Sequence, residues 1–179
     1  MAASIVHGQE ANARVLGPSV CDNCVSLVNV DPAFRTGYRI AHALLRSYWF
    51  VRRPRTNGSL TAIWKDGKIL LVKTAYRRQH QLPGGYVRPG EDPRYAASRE
   101  LREELNLHVS PDDLELAYHG TLTFEHRRDT LDIYECHVTE EPDIQVDDRE
   151  VIWAGFIAPA EAMRMDIVPH LREYLEQFV

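Results

Sequence analysis

Between about residues 33 and 50, apolar positions recur at helical spacing. Ile40, Ala43, Leu44 and Tyr48 fall in step, with Arg35, Arg39 and Arg46 between them. Asp31 and Pro32 supply an N-cap and a first-turn proline, and the Arg53-Pro54 step ends the pattern. The spacing predicts one helix from Ala33 to Phe50. From Gly58 the period shortens. Leu60–Trp64 and Ile69–Lys73 read as strands joined through Lys65-Asp66-Gly67-Lys68, where Asp-Gly is a strong hairpin signal. More strands are expected at Leu114–Phe124, Thr130–Val138 and Val151–Ile157, and two short helices open near Pro159 and at Pro169. Strands interleaved with a few helices predict an α/β domain whose mixed sheet is covered on both faces. Residues 1–30 show no sustained period and read as extension or loop.

Composition narrows the class. A chain of 179 residues, 44% apolar and 26% charged, is sized for one compact domain plus some surplus. Its net charge of −5 makes it a poor binder of polyanions through bulk charge, so no nucleic-acid partner is expected. A phosphate-bearing ligand must be met by local chemistry or by metal ions. Cys21, Cys24 and Cys136 are too few, and odd in number, for a disulfide framework, which suits a reducing cytoplasm. The Cys21/Cys24 pair has no second pair at zinc-finger spacing. No stretch approaches a membrane span, and the N-terminus has no signal pattern. No membrane partner is therefore expected. The basic, aromatic end of the first helix, Tyr48 to Arg53, suits packing on its own domain, a homodimer contact, or a membrane surface, in that order.

The candidate chemistry lies in GGYVRPGEDPRYAASRELREELNL, Gly84 to Leu107. Asp92 caps a helix that starts at Pro93 and runs to Leu105. At about 3.6 residues per turn, Glu100, Glu103 and Glu104 project within about 100° of one another. Ala97, Leu101 and Leu105 form the adjoining anchoring stripe. Like charges at this spacing repel by a few tenths of a kcal/mol, and Arg99, one turn before Glu103, offsets only part of that. Hard cations such as Mg²⁺ or Mn²⁺ prefer such oxygens and complete their shells with water and phosphate. Gly84 and Gly85 let the backbone approach closely enough to offer a carbonyl.

Gly85, Glu91, Arg99-Glu100-Leu101 and Glu103-Glu104 stand at offsets that resemble the Nudix box, entered through Leu82-Pro83-Gly84-Gly85. Asn106 replaces the family's usual glycine, and Asn is the next best residue for a left-handed cap. The resemblance implies a Nudix-like α/β/α sandwich over 54–179, with residues 1–53 an N-terminal extension carrying one amphipathic helix. It also implies a metal-dependent hydrolase cleaving a diphosphate linkage in a nucleoside diphosphate joined to another group, with Mg²⁺ or Mn²⁺ as cofactor. Glu100 and Glu104 then hold metal, with the Gly84 carbonyl as a recurrent ligand and Glu91 supporting the metal shell. Glu103 is a further ligand, a base, or the group that orients Arg99. Outside the box, Glu150 is the first candidate base, followed by Asp147 and Asp148.

Arg77, Arg78 and His80 are candidate phosphate contacts. Trp64, Tyr76, Tyr86, Phe124 and Tyr134 are candidate stacking partners for a base, and the polar stretch Glu125–Asp129 is a candidate rim. A non-catalytic nucleotide-sensing module is the alternative function. A diphosphate isomerase would want a cysteine near the site, and Cys136 is the only one inside the expected domain. The expected assembly is a homodimer.

Overall fold

The computed structural model describes residues 32–146 and 149–179. The readings made for Cys21, Cys24, Asp31, Asp147 and Asp148 fall outside those residues.

Helix α1 (Pro32–Arg52) leads, after only Arg53 and Pro54, into β1 (Arg55–Lys65) and β2 (Lys68–Thr74). Asp66 and Gly67 both take positive φ, 49° and 73°, as a tight two-residue hairpin turn requires. Side chains then alternate across the pleat. Leu60, Ala62, Trp64, Ile69 and Leu71 face one core, whereas Ile63, Leu70 and Val72 face the other. Both faces being covered explains the nearly continuous apolar runs.

Two short strands that the periodicity does not reveal follow: β3 (His80–Gln81) and β4 (Gly84–Tyr86). They are too short to carry a period, and pairing with β2 and β1 creates them. Helix α2 (Pro93–Leu105) has the bounds that its caps dictate. Asp92 accepts a hydrogen bond from the Arg94 N–H at 2.8 Å. Asn106 sits left-handed at φ 56°, its N–H turned back to Arg102 and Leu101 carbonyls.

β5 (Glu115–Phe124) and β6 (Arg127–His137) form a hairpin. β6 starts three residues before its expected position because its first residues pair with Arg55–Asn57 of β1. The β1–β6 pairing is parallel, the others antiparallel. β7 (Val151–Ile157) pairs with β2, and α3 (Pro159–Ala162) and α4 (Pro169–Leu175) close the chain. Leu101 and Leu105 of α2 press on one face of this mixed sheet, and Leu171, Tyr174 and Leu175 of α4 on the other. This is the expected α/β/α sandwich with an N-terminal helix. Tyr174 pins its layer: its hydroxyl accepts from Trp64 Nε1 at 3.0 Å and donates to Glu135 Oε1 at 2.5 Å.

A left-handed cap tolerates Gly and Asn and penalises β-branched residues by about 1–2 kcal/mol. Asn106→Gly should leave the urea midpoint nearly unchanged, and Asn106→Val should lower stability by about that amount. Equal effects would remove the cap from the account.

Candidate active site

The box helix presents its acids to a cavity of ≈ 480 Å³. Glu100, Glu103 and Glu104 of α2 line it together with Gly84, Gly85 and Glu150. The approach is close: a Cβ at Gly85 would lie 2.7 Å from Glu100 Oε1. Gly84, at φ 134°, has no room for one against Leu60. Its N–H donates to Glu104 Oε2 at 2.9 Å, which holds that carboxylate although the residue is only 6% exposed. Burial pushes the Glu100 carboxyl above its ordinary pKa, with Glu103 and Glu150 adding to the rise and Arg99 opposing it. Glu150 accepts from the Tyr76 hydroxyl at 2.6 Å.

Arg99 ties this face together. Its Nη1 reaches Glu100 Oε1 at 2.6 Å and Glu103 Oε2 at 3.2 Å, and its Nη2 reaches the Tyr86 carbonyl at 3.0 Å. Its Nε and Nη2 donate to the two oxygens of Glu91 at 2.9 and 3.1 Å. Glu91 also accepts from the Arg88 N–H, and these bonds hold its pKa down to about 2. Glu91, expected to support the metal shell, is engaged with Arg99. Both its oxygens serve Arg99, and it borders a separate hollow of ≈ 530 Å³. Glu91 thus holds Arg99, which in turn holds Glu100 and Glu103.

The candidate phosphate contacts divide. Arg77 enters the cavity lining, bonded to Gln81 Oε1 at 2.6 Å and Glu125 Oε2 at 3.0 Å. Arg78 is exposed outside it. His80 is turned onto Trp153, with ring centroids 5.4 Å apart, and its backbone N–H donates to the Asp166 carbonyl. Neither Arg78 nor His80 lines the cavity: within β3, Gln81 faces it while the neighbouring His80 turns to Trp153. Of the aromatics, Tyr76 and Tyr86 line the cavity. Trp64 and Tyr134 are buried in the cores, and Phe124 packs against one. Cys136 is buried among Ala97, Leu114 and Tyr134, away from the cavity, which removes the cysteine that an isomerase would want.

Three contributions escape the sequence reading. Helix α1 supplies a cavity wall through Tyr38, Ala41, His42, Leu45 and Trp49. Trp49 is 4% exposed and lies under the Arg127 guanidinium at 4.1 Å. That guanidinium is also held by Asp129 Oδ2 at 2.6 Å and by the Tyr86 hydroxyl. The boundary expected at 53/54 therefore separates two elements that share one cavity. The β5–β6 turn places Glu125 and His126 at positive φ without any glycine, a conformation costing about 1–2 kcal/mol per residue. Ion pairs from Glu125 to Arg77 and Arg46 secure it, and His42 Nε2 lies 3.5 Å from Glu125 Oε2. Lastly, His170 of α4 lines the cavity, and its Nε2 has no hydrogen-bond partner among the described residues. Only the fold brings it there; its spacing from the box carries no signal.

The donor set suits a hard dication, since five carboxylates border one cavity, of which Asp129 is tied to Arg127. Among the described residues, no three His, Cys, Asp or Glu side chains are already gathered as a coordination shell. Arg99 accounts for part of that, occupying Glu100 and Glu103.

A NUDIX domain model matches residues 53–178, and the chain belongs to the NUDIX family. An RNA pyrophosphohydrolase of Hydrogenovibrio crunogenus is 39% identical over 56 residues, 31% of this chain and 34% of that protein. The chain thus spans about a third of that curated relative. The crystal structure of a MutT NUDIX hydrolase from Burkholderia pseudomallei matches with a TM-score of 0.61 at 24% identity, covering 70% of this chain and 98% of that one. The solution structure of the E. coli ORF135 protein matches with a TM-score of 0.56 at 27% identity, covering 72% and 91%.

Burial, with Arg77 and Arg127 nearby, pushes the His170 pKa from 6.5 down to about 3. The folded chain thus refuses a proton that the unfolded chain accepts. Stability is complete above about pH 6.5 and falls as pH drops towards 3, by up to ~1.4 kcal/mol per pH unit for one proton. Urea unfolding of His170→Gln between pH 4 and 7 should show a shallower loss than the natural chain. Parallel curves would mean that His170 titrates normally.

Proposed function

We propose that this chain is a metal-dependent hydrolase that cleaves a diphosphate linkage in a nucleoside diphosphate joined to another group. One observation carries the reading: Glu100, Glu103, Glu104 and Glu150 border a single cavity whose remaining wall is aromatic and cationic, with Tyr76, Tyr86, Trp49, Arg77 and Arg127. Family membership supports the reaction class. The relative described as an RNA pyrophosphohydrolase supports a phosphate anhydride as the bond attacked.

Glu100 and Glu104 would hold Mg²⁺ or Mn²⁺, with Glu103 and the Gly84 carbonyl completing the protein's share. A bound dication supplies charge neutralisation at the diphosphate oxygens and a more acidic water. The chain's own residues do the rest. Gly84 fixes Glu104 through its N–H. Arg99 fixes Glu100 and Glu103. Glu150 is the proposed base outside the box, its carboxylate oriented by the Tyr76 hydroxyl. Burial and the Glu150 charge hold that hydroxyl protonated, so it is a fixed donor. Tyr86, 44% exposed, offers a flat face to a nucleobase. Among the described residues, no helix is long and apolar enough to cross a membrane.

The test is turnover of phosphate anhydrides (nucleotide sugars, dinucleoside polyphosphates, 5′-triphosphorylated RNA) by the purified full chain with Mg²⁺, Mn²⁺ or EDTA. Product should appear only with a dication. Glu104→Gln keeps an acceptor for the Gly84 N–H, so it should fold normally yet lose more than the ~10–100-fold typical of residues that merely orient a ligand. It should also lose the rise in melting temperature that Mn²⁺ gives the natural chain. Tight nucleotide binding without turnover would favour the sensing module instead.

A further inference from the structure

Seven of the twelve large apolar side chains exposed among the described residues belong to α1. At about 100° per residue, Ile40, Val51, Leu44 and Tyr48 fall within an arc of about 80°. That arc lies opposite Tyr38, His42 and Trp49, which line the cavity. The outward strip is open: Leu44 is 67% and Val51 77% exposed. A helix whose only task was to wall the cavity would show water a polar back. This one does not.

Charge identifies the occupant. Residues 32–55 contain Arg35, Arg39, Arg46, Arg52, Arg53 and Arg55 and no acidic residue, in a chain whose net charge is −5. Arg52 projects about 40° beyond one edge of the apolar strip, and Arg39 about 100° beyond the other, its Nε donating to the Ala75 carbonyl at 3.3 Å. Arg52 and Arg53 are exposed and form no ion pair among the described residues. Two copies of the chain joined along this strip would set the same arginine borders against each other, with no carboxylate on either helix to answer them. An anionic lipid surface satisfies both requirements at once. Its headgroups meet the arginines, and its acyl boundary takes Ile40, Leu44, Tyr48 and Val51.

We infer that α1 lies flat on an anionic bilayer through its outer strip, making this a peripheral membrane protein. This replaces the expectation that no membrane partner exists. The helix is about 10 Å across, so its inner face would hold the catalytic cavity within about that distance of the headgroups. The inference does not depend on the proposed hydrolysis.

The experiment is flotation of the full chain with vesicles of phosphatidylcholine alone or mixed with phosphatidylglycerol. The chain should float with the mixed vesicles, fail to float with the neutral ones, and be released by salt. Leu44→Glu with Val51→Glu touches no cavity residue. It should keep the circular dichroism and any hydrolytic rate of the natural chain while lowering partition by about tenfold or more. Arg52→Gln with Arg53→Gln should lower it on anionic vesicles. Absence of partition by the natural chain overturns the inference, as does partition indifferent to both double variants. A dimer by light scattering that Leu44→Glu dissociates, without vesicle binding, would assign the strip to a second copy instead.

Discussion

A single guanidinium holds together a helix face that would otherwise push itself apart. Glu100, Glu103 and Glu104 project from less than two turns of α2, and Arg99 is the cation that answers two of them directly. It is itself anchored outside the cavity by both oxygens of Glu91 and by the Tyr86 carbonyl. The loop between β4 and α2 is thereby tied to the helix it precedes. Glu104, which Arg99 does not reach, is instead held by the Gly84 N–H. The acids keep their positions while their charge is only partly neutralised, and burial still lifts the Glu100 pKa. Under the proposed activity, a cation would draw these carboxylates the remaining distance together and take over part of the charge that Arg99 now answers.

The second constraint is the seating of α1. Its inner face meets the sheet domain through aromatic and charged contacts. His42 lies against Tyr76 with ring centroids 4.7 Å apart and near Glu125, Arg46 lies beside Glu125, and Trp49 lies under Arg127. These contacts converge on the β5–β6 turn and on the start of β6, the elements that carry Asp129 and Arg127 into the cavity. The left-handed Glu125–His126 turn is thus held by the helix it helps to seat. Removing α1 would uncover the cavity and loosen that turn together, so the first described helix belongs to the site.

Local signals were the readable ones. Asp92, Pro93 and Asn106 set the ends of α2 through short-range hydrogen bonds, and their spacing announces both the helix and its acidic face. Asp66-Gly67 likewise announces a hairpin. The two-residue strand β3 has no period of its own, and its pairing with β2 turns His80 to Trp153 and leaves Arg78 in solvent. That pairing lies between segments, so a list of basic residues before the box cannot foresee it. Arg127 and Asp129 of the expected Glu125–Asp129 rim do line the cavity, whereas Trp49 and His170 come from α1 and α4, far away along the chain. Tertiary packing alone makes them neighbours of the glutamates, and no spacing rule connects them. Glu91 shows the opposite limit: its box position is plain in the sequence, but its commitment to Arg99 emerges only from the hydrogen bonds.

The charges of the cavity also set a direction for its ligand. Arg77 is paired with Glu125 and Arg127 with Asp129, so the cationic wall carries little net charge with which to draw a polyanion. His170, neutral beside them, adds a hydrogen-bonding group without charge. Free phosphate would gain little there. The acidic wall repels phosphate until cations cover it, after which it becomes the strongest phosphate site in the cavity. Under the proposed activity, the diphosphate would therefore belong near Glu100 and Glu104, where a dication held by them would supply the neutralising charge. The uncharged, hydrogen-bonding part of the substrate belongs towards Trp49, Tyr86 and His170. The paired arginines are left to serve shape and hydrogen bonding, and under the proposed activity anion capture would fall to the dication that the box carboxylates hold.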